Sequence, residues 1–225
     1  MFLVSGNGGN LQFVFLAIKK FNLPFEIQAV VADRNCNALI FAKKNNIPSY
    51  LISYSINHEI ELKSLIQFHK PNLVITTFHK IIDEEILNHF SNTVFINLHY
   101  SLLPDFKKTI GMKAIEMAKA MNRKTIGATV HVVEKEVDEG KIIAQGKFEV
   151  DEWDNQNVDE LKDIVFKMGC ILLLNAILIT IILDGNPENI TIQLNKKNVV
   201  IENDLVYKIA TDNELNDIFM LVKSI

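Results

Sequence analysis

Cysteine is nearly missing from this 225-residue chain: there are two, Cys36 and Cys170. Neither belongs to a Cys-x-x-Cys pair, so a disulfide framework is excluded. Both read as reduced, structural thiols, which sets the expectation of a cytoplasmic location. No His-x-x-x-His spacing occurs among the six scattered histidines, so no metal site is expected. Excess positive charge is lacking too. The formal net charge is -4 and no basic stripe stands out, which argues against a protein that grips a nucleic-acid backbone. No Gly-x-Ser-x-Gly elbow exists, so an acyl-enzyme on a serine has no anchor. No basic leader or small-residue cleavage site precedes Met1-Phe2-Leu3-Val4, and a signal peptide is not expected. The longest apolar run, Cys170 to Leu183, is about a turn short of a bilayer span and is interrupted by Asn175 and Thr180. It reads as a core helix, and no membrane partner is expected.

What is present has a strong order. Met1 to Val4 is a short apolar strand, followed by the glycine loop Ser5-Gly6-Asn7-Gly8-Gly9-Asn10 and a helical pattern from Leu11 to Phe21. Strand, glycine loop and helix form the geometry in which backbone N–H groups face an anion. The spacing is neither the dinucleotide fingerprint nor a P-loop, since no Gly-Lys-Ser/Thr follows. A tight βα turn without a ligand is the alternative. Strands are expected over Phe25–Ala32, after Ile47-Pro48, over Leu73–Thr77 and over Val94–Leu98. Helices are expected over Ala38–Asn45, Ile60–His69 and Asp83–Phe90. This alternation calls for an open α/β fold, a mostly parallel sheet with helices on both faces, whose ligands sit at the carboxyl ends of the strands.

Further on, a helix over Ile110–Met121 precedes two strands, Ile126–Val133 and Ile142–Val150, that read as a hairpin around Val137-Asp138-Glu139-Gly140. A long helix over Asn157–Leu183 is expected to break or bend near Gly169 and to end at Asp184-Gly185-Asn186-Pro187. Two alternating strands, Ile190–Leu194 and Val199–Ile201, and a short helix capped by Asp212-Asn213-Glu214 complete the chain. A two-stranded hairpin is marginal alone, so the tail must pack on the main body or on another subunit.

The chemistry centres on Val94-Phe95-Ile96-Asn97-Leu98-His99. Asn97 and His99 alternate at the end of an apolar strand and so share a face. A capped strand end with a hydrogen-bonded histidine is one reading, and a reactive site is the other. Asp138 is the third candidate. Histidine can move a proton near neutral pH, an adjacent carboxylate would raise its pKa, and an amide can donate to a developing oxyanion. The set suits acyl-type transfer by direct attack of a substrate group.

Asn97-Leu98-His99 followed by Ser101-Leu102-Leu103-Pro104 is similar to the Asn-x-His-x-Ser-Leu-Leu-Pro signature of the 10-formyltetrahydrofolate-dependent formyltransferases. Ser5 to Gln12 resembles the phosphate loop of glycinamide ribonucleotide formyltransferases. Gly127-Ala128-Thr129-Val130-His131 and Val137-Asp138-Glu139-Gly140 resemble two further segments of the same family. The likeness runs in order over residues 1–185, which reads as the catalytic domain, with residues 186–225 as a C-terminal hairpin and helix. It implies a Rossmann-like formyltransferase fold, 10-formyltetrahydrofolate as co-substrate and a primary amine as acceptor. By that likeness Asn97 polarises the formyl oxygen, His99 stabilises the developing charge and shuttles a proton, and Asp138 orients His99. Phe78, His79, Lys80, Ile81 and Ile82, with Val137, Glu139 and Gly140, would line the folate pocket. Gly8, Gly9 and Asn10 would hold a phosphate of the acceptor.

Departures from the purine-pathway pattern bear on the acceptor. Tyr100 stands where those enzymes have proline, Asp105 to Gly111 lacks their Pro-Gly-x-His loop, and Phe78-His79-Lys80 replaces Phe-Met-Arg. The first expectation is therefore an N-formyltransferase acting on a nucleotide-linked (dTDP-type) amino dideoxy sugar of surface polysaccharide (O-antigen or lipopolysaccharide) synthesis, with the tail joining a homodimer. Tyr100 would then stack on sugar or base, or else pack in the core. The alternative is phosphoribosylglycinamide formyltransferase of purine biosynthesis. A non-catalytic module that only binds folate or a nucleotide would have no use for Asn97, His99 and Asp138 together.

Overall fold

A computed structural model of the chain describes residues 1–55, 59–181, 190–194, 197–202 and 212–222. The chain folds into two compact units, Met1–Asn97 with Val133–Lys135 and Asn216–Ile225, and Leu98–Val132 with Glu136–Leu215.

The first unit is built on parallel strands β1 (Phe2–Val4), β2 (Val30–Ala32), β3 (Ser49–Leu51), β4 (Leu73–Thr77) and β5 (Val94–His99), in the order β3-β2-β1-β4-β5. β5 starts here, and its last two residues open the second unit. The register is tight: Phe2 pairs with Val30 on one side and Ile75 on the other. The three-residue length of β1 limits β2, so the ladder begins at Val30 rather than at Phe25, and Glu26 and Gln28 stay outside it. Helices α1 (Gly9–Phe21), α2 (Asn37–Lys44), α3 (Ile60–His69) and α4 (Glu84–His89) connect the strands. Their ends follow capping chemistry. Asp83 accepts from the Glu85 amide at 2.9 Å, and Glu84 and Glu85 face the positive helix end. α3 stops at Lys70, in the left-handed region, with its amide donating to Ile66 O at 2.8 Å just before Pro71. Leu3, Val31, Leu62, Ile66, Val74, Ile86 and Phe95 fill the core. The short C-terminal helix α7 (Asp212–Leu221) adds Phe219, stacked on Phe13 of α1 at 4.8 Å, and Asp217, paired with Lys20 at 2.8 Å.

The second unit holds α5 (Lys113–Ala120), an antiparallel set in the order β6 (Thr125–Val132), β7 (Ile142–Glu149), β9 (Lys197–Glu202) and β8 (Ile190–Leu194), and helix α6 (Val158–Ile181). α6 carries its charged residues in its first ten positions and is apolar from Met168 on; it is long and apolar enough by length and composition to cross a membrane, yet Leu161, Ile164, Met168 and Leu172 are buried and it packs on β6 and β7. That is the pattern of a core helix. It runs unbroken through Gly169, against the expected break. The glycine has another reason: a Cβ there would lie 2.8 Å from the Tyr100 ring and 3.2 Å from Leu98. The expected helix stop at Asp184 to Pro187 lies outside the described residues. β6 and β7 pair regularly from Thr125↔Glu149 to Val130↔Ala144, then shift so that His131 pairs with Ile142. Ile143 is thus one extra residue in β7, a bulge next to the loop that carries Asp138.

Candidate active site

The site grows from the end of β5 and from one face of β6. On β5 the alternation places Asn97, half-buried, and His99, buried at 5% exposure, on the same side of the strand. On β6 the same period of two puts Thr129 and His131 together, and both are buried polar groups that must find partners. Thr129 donates to Ser101 O at 2.7 Å and accepts from the Leu103 amide at 3.1 Å and from Gln145 Nε2 at 2.9 Å. Gln145, its cross-strand partner, also donates to Leu103 O at 3.1 Å. This clasp fixes the segment Ser101 to Pro104 directly after His99.

Asp138 sits in the β6–β7 loop in the left-handed region, φ 60°, a conformation that aspartate tolerates better than most residues. Its Oδ2 accepts from the Lys108 amide at 2.7 Å and lies 3.7 Å from His99 Nδ1. Its Oδ1 lies 3.5 Å from His131 Nε2. The carboxylate is therefore bracketed by two imidazoles. His131, 2% exposed, donates from Nδ1 to Val132 O at 2.8 Å, which turns its Nε2 towards Asp138. His99 Nε2 donates to Phe106 O at 3.1 Å, and the Thr109 hydroxyl donates to the same carbonyl at 2.8 Å.

These surroundings set the charges. Burial pushes the His99 pKa below the ordinary histidine value, and the Asp138 carboxylate and the Phe106 carbonyl only partly oppose it. The expectation of a raised pKa from the neighbouring carboxylate is corrected: desolvation wins, and the neutral imidazole is favoured at pH 7. Burial alone would raise the Asp138 carboxyl, but His131, the Lys108 amide and His99 together hold it below the usual carboxylate range. A neutral histidine beside a firmly ionised carboxylate can take up a proton during a reaction and have the new charge stabilised at once.

The other expected residues fall as follows. Gly8 precedes α1 at φ 77°, and Gly9 and Asn10 form the first turn, two residues earlier than the expected helix start. A Cβ at Gly8 would lie 2.8 Å from Ala38 Cβ. No acidic side chain stands in that first turn, so the helix end is electrostatically open to an anion. Phe78 packs on the first unit's core and Ile82 is buried in it, while His79, Lys80 and Ile81 are exposed. Val137 is half-buried, Gly140 is buried, and exposed Glu139 pairs with Lys107 at 3.0 Å. Tyr100 lies against Gly169 of α6, with its ring in the packing of the second unit. Thr129, Gln145 and the role of His131 were not foreseen. The available signal was the pair of polar residues at alternate positions of an otherwise apolar strand. Among the described residues no cluster of His, Cys, Asp and Glu could hold a metal ion.

A buried histidine beside an ionised carboxylate at a strand end can support proton transfer. The chain belongs to the formyl transferase family, whose description matches residues 1–177. It is 33% identical over 134 residues to a formyltetrahydrofolate deformylase of Haemophilus influenzae, covering 57% of this chain and 46% of that one. It is 30% identical over 157 residues to the phosphoribosylglycinamide formyltransferase of Bacillus subtilis, covering 67% of this chain and 78% of that one. A glycinamide ribonucleotide transformylase from Symbiobacterium toebii superposes with a TM-score of 0.70 at 27% identity, over 78% of this chain and 84% of that one. The match thus spans about half the length of the deformylase and more of the other two. The nucleotide-sugar acceptor expected from the sequence, and with it the polysaccharide pathway, is corrected: the formyltransferases to which the chain is similar name phosphoribosylglycinamide. Tyr100, one of the residues that suggested a sugar, is half-buried with its ring against Gly169 of α6.

Proposed function

We propose that this protein transfers the formyl group of 10-formyltetrahydrofolate to the primary amine of phosphoribosylglycinamide. The observation that carries the chemistry is Asp138 held between His99 and His131, at 3.7 and 3.5 Å. In the proposed reaction the amine nitrogen attacks the formyl carbon and its proton leaves. The bond from that carbon to N10 of the folate then breaks, and N10 takes up a proton. An amide and tetrahydrofolate result. Asn97 donates to the formyl oxygen as it gains charge. Through a water His99 accepts the proton that leaves the amine, its new charge is stabilised by the ionised Asp138, and it gives the proton to N10 as the bond breaks. Gly8, Gly9 and Asn10 hold the acceptor's phosphate at the open end of α1. Phe78 to Ile82 and Val137 to Gly140 line the folate.

The catalytic work is assigned to residues 1–185. Residues 186–225 are assigned an accessory role that includes pairing with a second copy, and the reduced thiols fit a cytoplasmic enzyme. The likeness to a deformylase favours one second reading, in which water replaces the amine and formate is released. One assay separates the two. Purified protein is incubated with 10-formyltetrahydrofolate with and without phosphoribosylglycinamide, and tetrahydrofolate, formate and formylated amide are measured. Turnover that needs the amine supports the proposal, and formate release at the same rate without it supports the hydrolase. Absence of both products overturns both readings.

A further inference from the structure

The connection from β4 to α4, Phe78 to Asp83, has no regular secondary structure. Its backbone polar groups need partners from elsewhere. Three hydrogen bonds fix it. The His79 amide donates to Ser5 Oγ at 2.8 Å, next to the glycine loop. The other two converge on one side chain. The Tyr54 hydroxyl donates to Ile81 O at 3.2 Å and accepts from the Asp83 amide at 3.0 Å. Tyr54 is 4% exposed, and its ring lies 5.5 Å from that of Phe78 at an angle of 50°. Ile82, between the two pinned residues, is sunk in the same core, while Ile81 is 54% exposed. A phenylalanine would fill the space of the Tyr54 ring equally well. A buried hydroxyl is costly unless bonded, and this one uses both its donor and an acceptor site on a single loop.

We propose that Tyr54 is a positioning residue for the folate co-substrate: its hydroxyl sets the height of the His79–Ile82 backbone and so the fit of the folate ring system. The inference rests on the reading of Phe78 to Ile82 as a wall of the folate pocket. The ring system of folate is flat and carries donors and acceptors along its edge. Such an edge is best read by peptide groups held at fixed positions, because the exposed side chains of His79 and Lys80 are free to rearrange. With the hydroxyl gone, Ile81 O loses its donor and the Asp83 amide its acceptor at the start of α4. The loop then samples positions that fit the ligand poorly, and binding must select among them.

The test uses the full chain and tetrahydrofolate itself as the probe, titrated by calorimetry, so that it does not depend on the acceptor. Three proteins are compared: the unaltered chain, Tyr54→Phe and Ile81→Lys, the last of which changes the wall directly. Tyr54→Phe is expected to weaken tetrahydrofolate binding about tenfold, the size of one to two lost hydrogen bonds. In turnover with phosphoribosylglycinamide the KM for the folate rises by a similar factor, whereas the KM for the acceptor and kcat at saturating folate stay within about twofold. If Ile81→Lys weakens binding and Tyr54→Phe does not, the wall stands and the role of Tyr54 is overturned. If neither weakens it, the wall reading fails and takes the proposal with it. Equal rises in both KM values in Tyr54→Phe overturn the proposal as well, since they mark a general loss of structure. A measurement free of substitution is hydrogen exchange of the unaltered chain: tetrahydrofolate should slow exchange at residues 79–83, and no slowing there counts against the inference.

Discussion

Replacing Asp138 with asparagine isolates the charge at the centre from everything else the side chain does. Asparagine has nearly the same volume, tolerates the left-handed backbone at this position and keeps an oxygen for the Lys108 amide, which binds the carboxylate at 2.7 Å. What it removes is the negative charge 3.7 Å from His99 Nδ1. When His99 becomes positive during proton transfer, unit charges at that separation attract by about 4 kcal/mol at an effective dielectric of about 20. Losing that attraction lowers kcat/KM by about 10³-fold. The pH behaviour follows in sign. The carboxylate supports the charged form of His99 against burial, so without it the His99 pKa falls further, and the acidic limb of the rate profile moves to lower pH. Stability responds separately. The folded pKa of Asp138 lies below its unfolded value, so its contribution to stability is present above the ordinary carboxylate range and is lost as pH falls through the folded pKa. Asp138→Asn lacks that contribution at pH 7 and unfolds with a shallower dependence on acid. The measurements are steady-state rates across pH 5 to 9 and the NMR titration of the His99 ring. A loss under about tenfold, with an unmoved His99 titration, would refute the assignment of Asp138 as the stabiliser of that charge.

Other substitutions probe the framework. His131→Phe removes a partner of Asp138 Oδ1, so the Asp138 carboxyl titrates at higher pH, seen by carbon NMR of the carboxyl, and kcat/KM falls on the order of tenfold. Thr129→Val strips the clasp of three hydrogen bonds, one donated and two accepted, and destabilises the protein by about 1–3 kcal/mol in chemical denaturation, with a matching loss of kcat as Ser101 to Pro104 loosens. Gly8→Ala places a Cβ at φ 77° and 2.8 Å from Ala38, costing about 1–2 kcal/mol from the backbone alone, and raises the KM for a phosphorylated acceptor more than that for the folate.

The parallel half was open to sequence reading because each element carries its own punctuation. α3 spans Ile60–His69 as expected, since Glu61 lies in its first turn and Pro71 follows it. β4 spans Leu73–Thr77 as expected because its apolar run is short and bounded. Asn97 and His99 stand out as polar residues at the end of such a run and Asp138 as an acidic residue in the loop of an expected hairpin, and the structure brings His99 and Asp138 together. What stayed hidden depends on partners remote in the chain. The strand after Phe25 is cut short by the length of β1, a property of its neighbour. Gly169 resembled a helix break because its true constraint, the ring of Tyr100, comes from a strand end far earlier in the chain. Thr129 and His131 stand in a family-like segment, but what they face is set by the pairing with β7 and by the Asp138 loop. The acceptor is hidden for another reason: Tyr100, Asp105 to Gly111 and Phe78 to Lys80 are local departures from the purine-pathway pattern, whereas the likeness that corrects them is spread over most of the matched length.

The bulge at Ile143 gives the site a property that no side chain carries. Because Val130 pairs with Ala144 and His131 with Ile142, β7 is one residue longer than β6 across the stretch that leads into the Asp138 loop. Deleting Ile143 would leave Ile142 and Ala144 adjacent opposite His131 and Val130, an even ladder with the same pairs and faces, and would take out the local bend and added twist with which β7 leaves the Asp138 loop. The bulge therefore belongs to the route by which Asp138 reaches the two histidines: what it supplies is a bend in the strand, set by the count of residues rather than by their kind.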